Sequence, residues 1–214
     1  MQTMTEILDH TWPVLPVVVL EDVEQAVPLA AALQEGGVRV VEITLRTSAA
    51  LAAIRLVRQQ LPDLLVGAGT VTTTSQIRQL ADAGAQFAVS PGFSLCMHQE
   101  AQRHNMPWLP GVMTPSEIMQ AMELGYRELK LFPARGLRGR ELLNSFAGPF
   151  AGVRFCPTGG INADNLATFL QHENVSCCGG SWLAPAALIE ANNWAAITAM
   201  ARQTVESFAR RNNA

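Results

Sequence analysis

Short runs of β-branched and other apolar residues alternate with amphipathic stretches along the chain. Eight such runs occur, at Val14–Leu20, Val38–Thr44, Leu64–Gly67, Phe87–Ser90, Pro107–Leu109, Glu128–Phe132, Val153–Cys156 and Val175–Cys178. In the stretches that follow them, apolar residues return at helical spacing after a Ser, Thr, Asn or Asp, for example at Ser48–Leu61, Thr73–Ala83, Pro115–Leu124 and Ala163–Leu170. Each repeat therefore predicts a strand followed by a helix.

Strands that alternate with helices indicate right-handed crossovers and a parallel sheet. Eight units are enough to close a barrel. We therefore predict an α/β fold, a single-domain (β/α)8 TIM barrel over residues 1–214 with a closed, parallel, eight-stranded sheet. A doubly wound open sheet is the main rival, but it usually needs fewer strands. Residues Trp194–Arg210 are predicted to form an extra helix outside the barrel.

Composition narrows the possible functions of the chain. Of its 214 residues only 15% are charged, below the roughly 25% of an average domain, which suits strands buried on both faces and a subunit interface. The net charge of -3, with arginines clustered only at Arg135, Arg138 and Arg140, excludes a basic nucleic-acid-binding stripe. No apolar run approaches the roughly 20 residues of a membrane span. We expect a cytoplasmic protein without nucleic-acid or membrane partners.

The cysteines and histidines show no metal-site spacing. Neither C-x-x-C nor H-E-x-x-H occurs among the four cysteines and four histidines. We expect reduced cysteines and no protein-bound metal.

Lys130 is the only lysine of the chain, and it lies within the apolar segment Glu128–Pro133. An ammonium surrounded by leucine and phenylalanine loses hydration, which penalises the charged form and favours the neutral, nucleophilic amine. The alternative is a structural lysine whose head reaches solvent at the end of a strand. Phe132 shares the predicted face of Lys130 and would form an apolar wall beside it.

Paired glycines follow the last two predicted strands. The seventh leads into Gly159 and Gly160, and the eighth into Gly179, Gly180 and Ser181. Glycine lets backbone N–H groups approach an anion closely, and in barrels of this kind the loops after strands 7 and 8 commonly bind phosphate. The alternative is a pair of tight turns at helix starts. Their position at strands 7 and 8 favours phosphate binding.

Further polar residues fall at the carboxyl ends of the strands, where active sites of such barrels lie. Glu42 and Arg46 share one face of the second strand, and a glutamate among valines and isoleucine is costly unless it is paired or used. Its alternative role is a structural ion pair with Arg46 or Lys130. Thr70 and Thr158 can donate hydroxyl hydrogen bonds to a ligand, or cap the next helix.

These residues together suit Schiff-base chemistry on a phosphorylated keto acid, because they combine an inward lysine, an inward carboxylate, an arginine and a phosphate site. In this interpretation Lys130 attacks a ketone, Glu42 moves protons, and a C–C bond breaks into an enamine and an aldehyde. Arg46 holds a carboxylate.

The motifs at the strand ends resemble those of the 2-keto-3-deoxy-6-phosphogluconate (KDPG) aldolase and 4-hydroxy-2-oxoglutarate aldolase family. The segments that carry the resemblance are Val41–Arg46, Gly67–Val71, Ser90–Gly92, Leu109–Gly111, Lys130–Ala134, Pro157–Ile161 and Gly179–Trp182. The resemblance implies a class I aldolase, typically a trimeric (β/α)8 barrel without metal or cofactor. Such an enzyme splits KDPG into pyruvate and glyceraldehyde 3-phosphate, and often also acts on 4-hydroxy-2-oxoglutarate.

Carried over by motif, the resemblance makes Lys130 the Schiff-base lysine and Glu42 the general acid/base. The pyruvyl part of the substrate would then contact Arg46, Thr70, Pro91 and Phe132. Thr158 would also bind the substrate, and the phosphate would contact Gly159, Gly160, Gly180 and Ser181. Thr158 resembles the gluconate-type enzymes more than their galactonate-type relatives.

One stretch departs from the family pattern. After Ala134 the family has an acidic residue and an Asn-Gly-Gly-like turn, whereas this chain has the basic segment Arg135–Arg140. A phosphosugar isomerase or epimerase barrel, and a non-catalytic sugar-phosphate sensor, remain as alternatives. The isomerase has no need for a buried lysine, and the sensor would tolerate loss of Glu42 or Lys130.

Overall fold

Nine parallel strands and ten α-helices alternate along the part of the chain that the computed structural model describes, residues 2–135 and 138–208. The strands are β1 Val14–Val18, β2 Val40–Thr44, β3 Leu65–Gly69, β4 Ala88–Val89, β5 Trp108–Leu109, β6 Gly111–Val112, β7 Glu128–Leu131, β8 Arg154–Pro157 and β9 Cys178–Gly180. The helices are α1 Met4–Asp9, α2 Ala26–Glu35, α3 Ala50–Gln60, α4 Thr74–Ala83, α5 Leu95–Arg103, α6 Pro115–Glu123, α7 Gly139–Ala147, α8 Ala163–Leu170, α9 Ala186–Glu190 and α10 Trp194–Phe208, with a short 3-10 helix at Val23–Gln25.

The prediction of a single closed eight-stranded sheet is wrong. The strands form a six-stranded sheet in the order β5-β4-β3-β2-β1-β9 and a separate three-stranded sheet in the order β6-β7-β8. The fifth strand was predicted to end at Leu109, whereas a further short strand, β6, follows Pro110, which has no backbone N–H to donate and separates β6 from β5. On the other side, β8 and the segment around β9 are joined only by the isolated bridges Phe155–Val175 and Thr158–Gly179.

Helix starts follow the polar residues that the sequence places before them. Thr73, Thr114 and Asn162 each accept a hydrogen bond from the N–H three residues later, and that third residue reaches back to the cap. The predicted helices at residues 48–61, 73–83, 115–124 and 163–170 accordingly match α3, α4, α6 and α8 within two residues. Helix α10 begins at the predicted Trp194, while its predicted end at Arg210 lies outside the described residues.

Alternate strand positions contribute to two separate apolar clusters. Val14 and Val41 belong to the larger cluster, which includes most of the buried helix residues, whereas Leu15 and Val40 belong to a smaller one with Phe87, Leu109 and Cys156. Because successive strand side chains point to opposite faces, the smaller cluster occupies the face that the helices do not cover. Helix α1, which the pattern did not predict, adds Ile7 and Leu8 to it.

Leu15 and Val40 of the smaller cluster show which later residues of β1 and β2 share their face of the sheet. Val17 and Glu42 lie two residues beyond them and are in register with each other. Glu42 therefore lies on the same face as this apolar cluster, two residues nearer the carboxyl end of β2 than Val40.

Candidate active site

A cavity of about 310 Å³ opens at the carboxyl ends of the strands, and all eleven predicted site residues line it. They are Glu42, Arg46, Thr70, Pro91, Lys130, Phe132, Thr158, Gly159, Gly160, Gly180 and Ser181. Gly179, which belongs to the second predicted glycine turn, also lines the cavity, and the prediction missed three further lining residues, Val17, Val19 and Ile161. Val17 could have been found from its register with Glu42 on the neighbouring strand.

Lys130 and Glu42 form the buried pair at the base of the cavity. The Lys130 Nζ lies 3.9 Å from Glu42 Oε1, and their side chains are 8% and 2% exposed. The Lys130 Nζ also lies 5.2 Å from the centre of the Phe132 ring, within the range of a cation–π contact. The amine and the carboxyl group are therefore held close together by side chains that are almost fully buried.

Burial has the largest effect on the pKa of Glu42. Burial raises the pKa of Glu42 above its ordinary value of 4.5, and the positive charges of Lys130 and Arg46 oppose that rise without cancelling it. A carboxyl group with a raised pKa holds and releases a proton nearer neutral pH, as a general acid/base must.

Gly69 on β3 leaves the space that the Glu42 carboxylate occupies. A Cβ built on Gly69 would collide with Glu42 Oε1 and would lie only 2.5 Å from its Cδ. Any side chain at this position would displace the carboxyl group, so the glycine of β3 fixes the place of the acid on β2.

Arg46 and Thr70 stand together on the rim above Glu42. Arg46 Nε donates to Thr70 Oγ1 over 3.2 Å. Thr70 has φ of 58°, a conformation that β-branched residues rarely adopt. The bond leaves the remaining guanidinium N–H groups of the exposed Arg46 available to an anionic ligand.

Pro91 lines the cavity on a turn braced from beneath. Ser90 Oγ donates to the carbonyl of Gly92 at 2.7 Å and accepts from Trp108 Nε1 at 3.0 Å. Both Ser90 and Trp108 are buried. The Pro91 ring is therefore presented to the cavity by a rigid support.

Thr158 faces the same cavity from the end of β8. Its hydroxyl lies 3.3 Å from the carbonyl oxygen of Cys156, the residue in register with Lys130. Gly179 passes so close that a Cβ there would collide with Thr158 Oγ1. Thr158 therefore lines the same cavity as Lys130 and does not cap the next helix, which Asn162 caps.

In the turn after β8, the backbone carbonyl oxygens already accept hydrogen bonds from other parts of the protein. The carbonyl oxygens of Thr158, Gly159 and Gly160 accept hydrogen bonds from Ala134 N, Arg135 N and Asn165 Nδ2 at 2.8–3.0 Å. Gly159 and Gly160 have φ of 100° and 75°, which glycine adopts without strain.

The donors of this turn are unused within the described part of the chain. There, neither the N–H of Gly160 nor that of Ile161 has an acceptor, and the exposed Ser181 hydroxyl makes no hydrogen bond. This cluster of donors, just before the N-terminus of α8, is suited to bind an oxyanion.

Within residues 2–135 and 138–208, no three His, Cys, Asp or Glu side chains are grouped so that they could hold a metal ion. The four cysteines are free. None of the helices in those same ranges is long and apolar enough to cross a membrane.

Comparisons with known proteins identify the family to which the chain is similar. The family model described as KDPG and KHG aldolase matches residues 5–200. The chain is 48% identical to the 2-dehydro-3-deoxy-phosphogluconate aldolase of Dickeya dadantii, covering 95% of this chain and 96% of the relative. It is 46% identical to the KHG/KDPG aldolase of Escherichia coli K12, covering 96% of each chain.

Among solved structures, the chain resembles the KDPG aldolase of Legionella pneumophila with a TM-score of 0.92 and 41% identity. The match covers 95% of this chain and 98% of the other. In that crystal structure pyruvate was captured at low pH as a covalent carbinolamine intermediate.

Proposed function

Because the chain belongs to the KDPG and KHG aldolase family, we propose that it is a class I aldolase that acts as a single catalytic domain. It cleaves 2-dehydro-3-deoxy-6-phosphogluconate to pyruvate and glyceraldehyde 3-phosphate, and 4-hydroxy-2-oxoglutarate to pyruvate and glyoxylate. The observation that carries the proposal is the buried Lys130–Glu42 pair, 3.9 Å apart in a cavity whose other end offers free backbone N–H groups.

The reaction begins at Lys130. Its neutral amine attacks the C2 ketone, and loss of water from the resulting carbinolamine leaves a protonated imine. The Legionella relative captured pyruvate at the carbinolamine stage, which supports the same covalent chemistry here. The imine carbon then accepts electrons from the bond that breaks.

Glu42 moves the protons of the later steps. As a carboxylate it takes the proton of the C4 hydroxyl, the C3–C4 bond breaks, and its electron pair forms the enamine of Lys130 while the aldehyde leaves. The protonated Glu42 then returns a proton to C3, and water releases pyruvate and the free amine. The raised pKa of Glu42 suits a group that must hold this proton between the two steps.

The remaining residues divide between the two ends of the substrate. Arg46, oriented by Thr70, holds the carboxylate, since arginine pairs with carboxylates through parallel N–H bonds. Pro91, Phe132 and Thr158 enclose the pyruvyl carbons.

The phosphate binds to the donors of the two glycine turns, which belong to Gly159, Gly160, Gly180 and Ser181. The unused N–H of Gly160 and the unbonded Ser181 hydroxyl support this assignment.

Pyruvate release measured through lactate dehydrogenase and NADH tests the proposal. The wild-type protein is expected to release pyruvate from both substrates, and Lys130→Arg from neither, because a guanidinium keeps the charge but cannot form the imine. The variant also controls for a contaminating host aldolase. Absence of pyruvate from both substrates with a folded wild-type protein contradicts the proposal.

We also propose a cytoplasmic homotrimer. Free cysteines agree with a reducing compartment, and the exposed side chains of Leu95 and Met119 agree with contact between subunits. Sedimentation equilibrium tests the assembly: the expected mass is three times the 23.1 kDa of one chain, and the mass of one or two chains contradicts it.

A further inference from the structure

A second cavity, of about 400 Å³, lies beside the glycine turn that ends the active site. Its wall includes Arg135, Arg138, Arg140, Asn144, Asn165 and Thr168. Two of these residues touch the turn directly: Asn165 Nδ2 donates to the Gly160 carbonyl at 3.0 Å, and Arg135 N donates to that of Gly159 at 3.0 Å. The two cavities therefore adjoin across this turn, but their donors differ.

The wall of the second cavity carries a positive excess. Its three arginines face one carboxylate, Glu141, which lies 3.4 Å from Arg138. Both side chains of that pair are largely exposed, 82% and 65%, so solvent screens it and it neutralises little of the local charge. Arg135 and Arg140 form no ion pair with any residue in the described ranges.

The charge of this cluster acts on its surroundings. Burial lowers the pKa of His172, and the positive charge of Arg140 lowers it further. Positive charge that exceeds the negative charge on one concave surface is the arrangement that attracts anions.

The donors favour a phosphoryl group among anions. Each planar guanidinium can donate two parallel hydrogen bonds to two oxygens of a phosphate. Three guanidinium groups on one wall can therefore bind the same tetrahedral anion. The Asn144 amide adds a neutral donor on the same wall.

We propose that this cavity is a second anion subsite, which binds a phosphoryl group independently of the substrate phosphate at Gly160. Its donors are the side chains of Arg135, Arg138 and Arg140. The proposal rests on the proposed function only in taking the glycine turns as the first phosphate site. It implies that each chain binds two phosphoryl groups at once.

Titration calorimetry with inorganic pyrophosphate tests the stoichiometry. Pyrophosphate is the probe because its charge favours both sites, and the titration is made at low ionic strength, where such contacts are strongest. The wild-type chain is expected to bind two equivalents, and the double variant Arg138→Ala/Arg140→Ala one. Each single variant should weaken the second site about tenfold, as expected for loss of hydrogen bonds to a charged group.

Control variants distinguish binding at this site from a general effect of surface charge and from binding at the active site. Arg55→Ala removes an exposed arginine on α3 and should retain two equivalents. Ser181→Ala should weaken the first site and leave the second. Arg140→Lys keeps the positive charge but loses the paired N–H donors of the guanidinium. Its affinity for pyrophosphate at the second site should lie between those of the wild type and Arg140→Ala.

One equivalent in the wild type, or two in the double variant with unchanged affinities, overturns the proposal. Pyruvate release is measured on the same samples. Normal turnover with a single binding event refutes the second subsite alone, whereas absence of turnover refutes the proposed function.

Discussion

Replacing Gly69 with alanine tests whether the place of Glu42 matters for catalysis. The new Cβ would collide with Glu42 Oε1 and lie 2.5 Å and 2.7 Å from its Cδ and Cγ, whereas carbon contacts are ordinarily about 3.5–4.0 Å. The carboxyl group must therefore move by about 1 Å or more, although no catalytic residue is changed. A displacement of this size costs about 10²-fold in rate.

The same collision has a separate cost in stability. Overpacking a well-packed site destabilises by about 1–3 kcal/mol, and each kcal/mol lowers the melting temperature of a chain of this length by about 2–4 °C. Gly148→Ala is the matched control, because nothing lies within 4 Å of a Cβ there and its φ is -72°. It should leave both rate and melting temperature nearly unchanged.

Two assays place the defect at the proton-transfer steps. Gly69→Ala should lower kcat for pyruvate release about 10²-fold. It should also slow deuterium exchange into the pyruvate methyl group, followed by NMR, because that exchange requires Glu42 to move a proton to and from C3. Imine formation at Lys130 should continue. Turnover and exchange within twofold of wild type in a folded variant would refute the argument that Gly69 positions the acid.

Three other variants test the remaining assignments. In Glu42→Gln, kcat should fall by about 10²–10⁴, and the acidic limb of the kcat/KM profile should disappear; in the wild type this limb should lie above pH 4.5, because burial raises the pKa of Glu42. A limb that persists in the variant would assign the titration to another group. Arg46→Leu should raise KM for both substrates about 10- to 100-fold through loss of a charged hydrogen bond, and an unchanged KM would remove Arg46 from the carboxylate site. Ser181→Ala should raise KM for KDPG several-fold but not for 4-hydroxy-2-oxoglutarate, which has no phosphate; equal effects on both substrates would argue against a phosphate contact.

The sequence predicted local structure where a short segment determines it. Thr73 and Asn162 precede predicted helices, and in the structure each forms a capping box at the helix start. Lys130 was recognisable because it is the single lysine of the sequence and its neighbours are apolar. Strand alternation then placed Glu42 and Lys130 on inward faces, and both line the cavity together with the other predicted residues.

Features that depend on pairing between distant segments were not predictable in the same way. The predicted fifth strand ended at Leu109, whereas short strands lie on both sides of Pro110 and belong to different sheets. Helix α1 was missed because six residues are too few for a clear apolar period, and the packing of Ile7 and Leu8 against the strands stabilises it. The close approach of Gly69 to Glu42 depends on how β2 and β3 pair, and it could be recognised only from the structure.

The central claim is that Lys130 forms a covalent imine with a keto acid. The most direct test is incubation with pyruvate and borohydride, which reduces an imine to a stable secondary amine, followed by intact-protein and peptide mass spectrometry. Because the chain has one lysine, the site of modification can be assigned with little ambiguity. The account predicts a single adduct on the peptide that contains Lys130, absent without pyruvate and absent in Lys130→Arg. No adduct, or one only at the N-terminal amine, would contradict the Schiff-base mechanism.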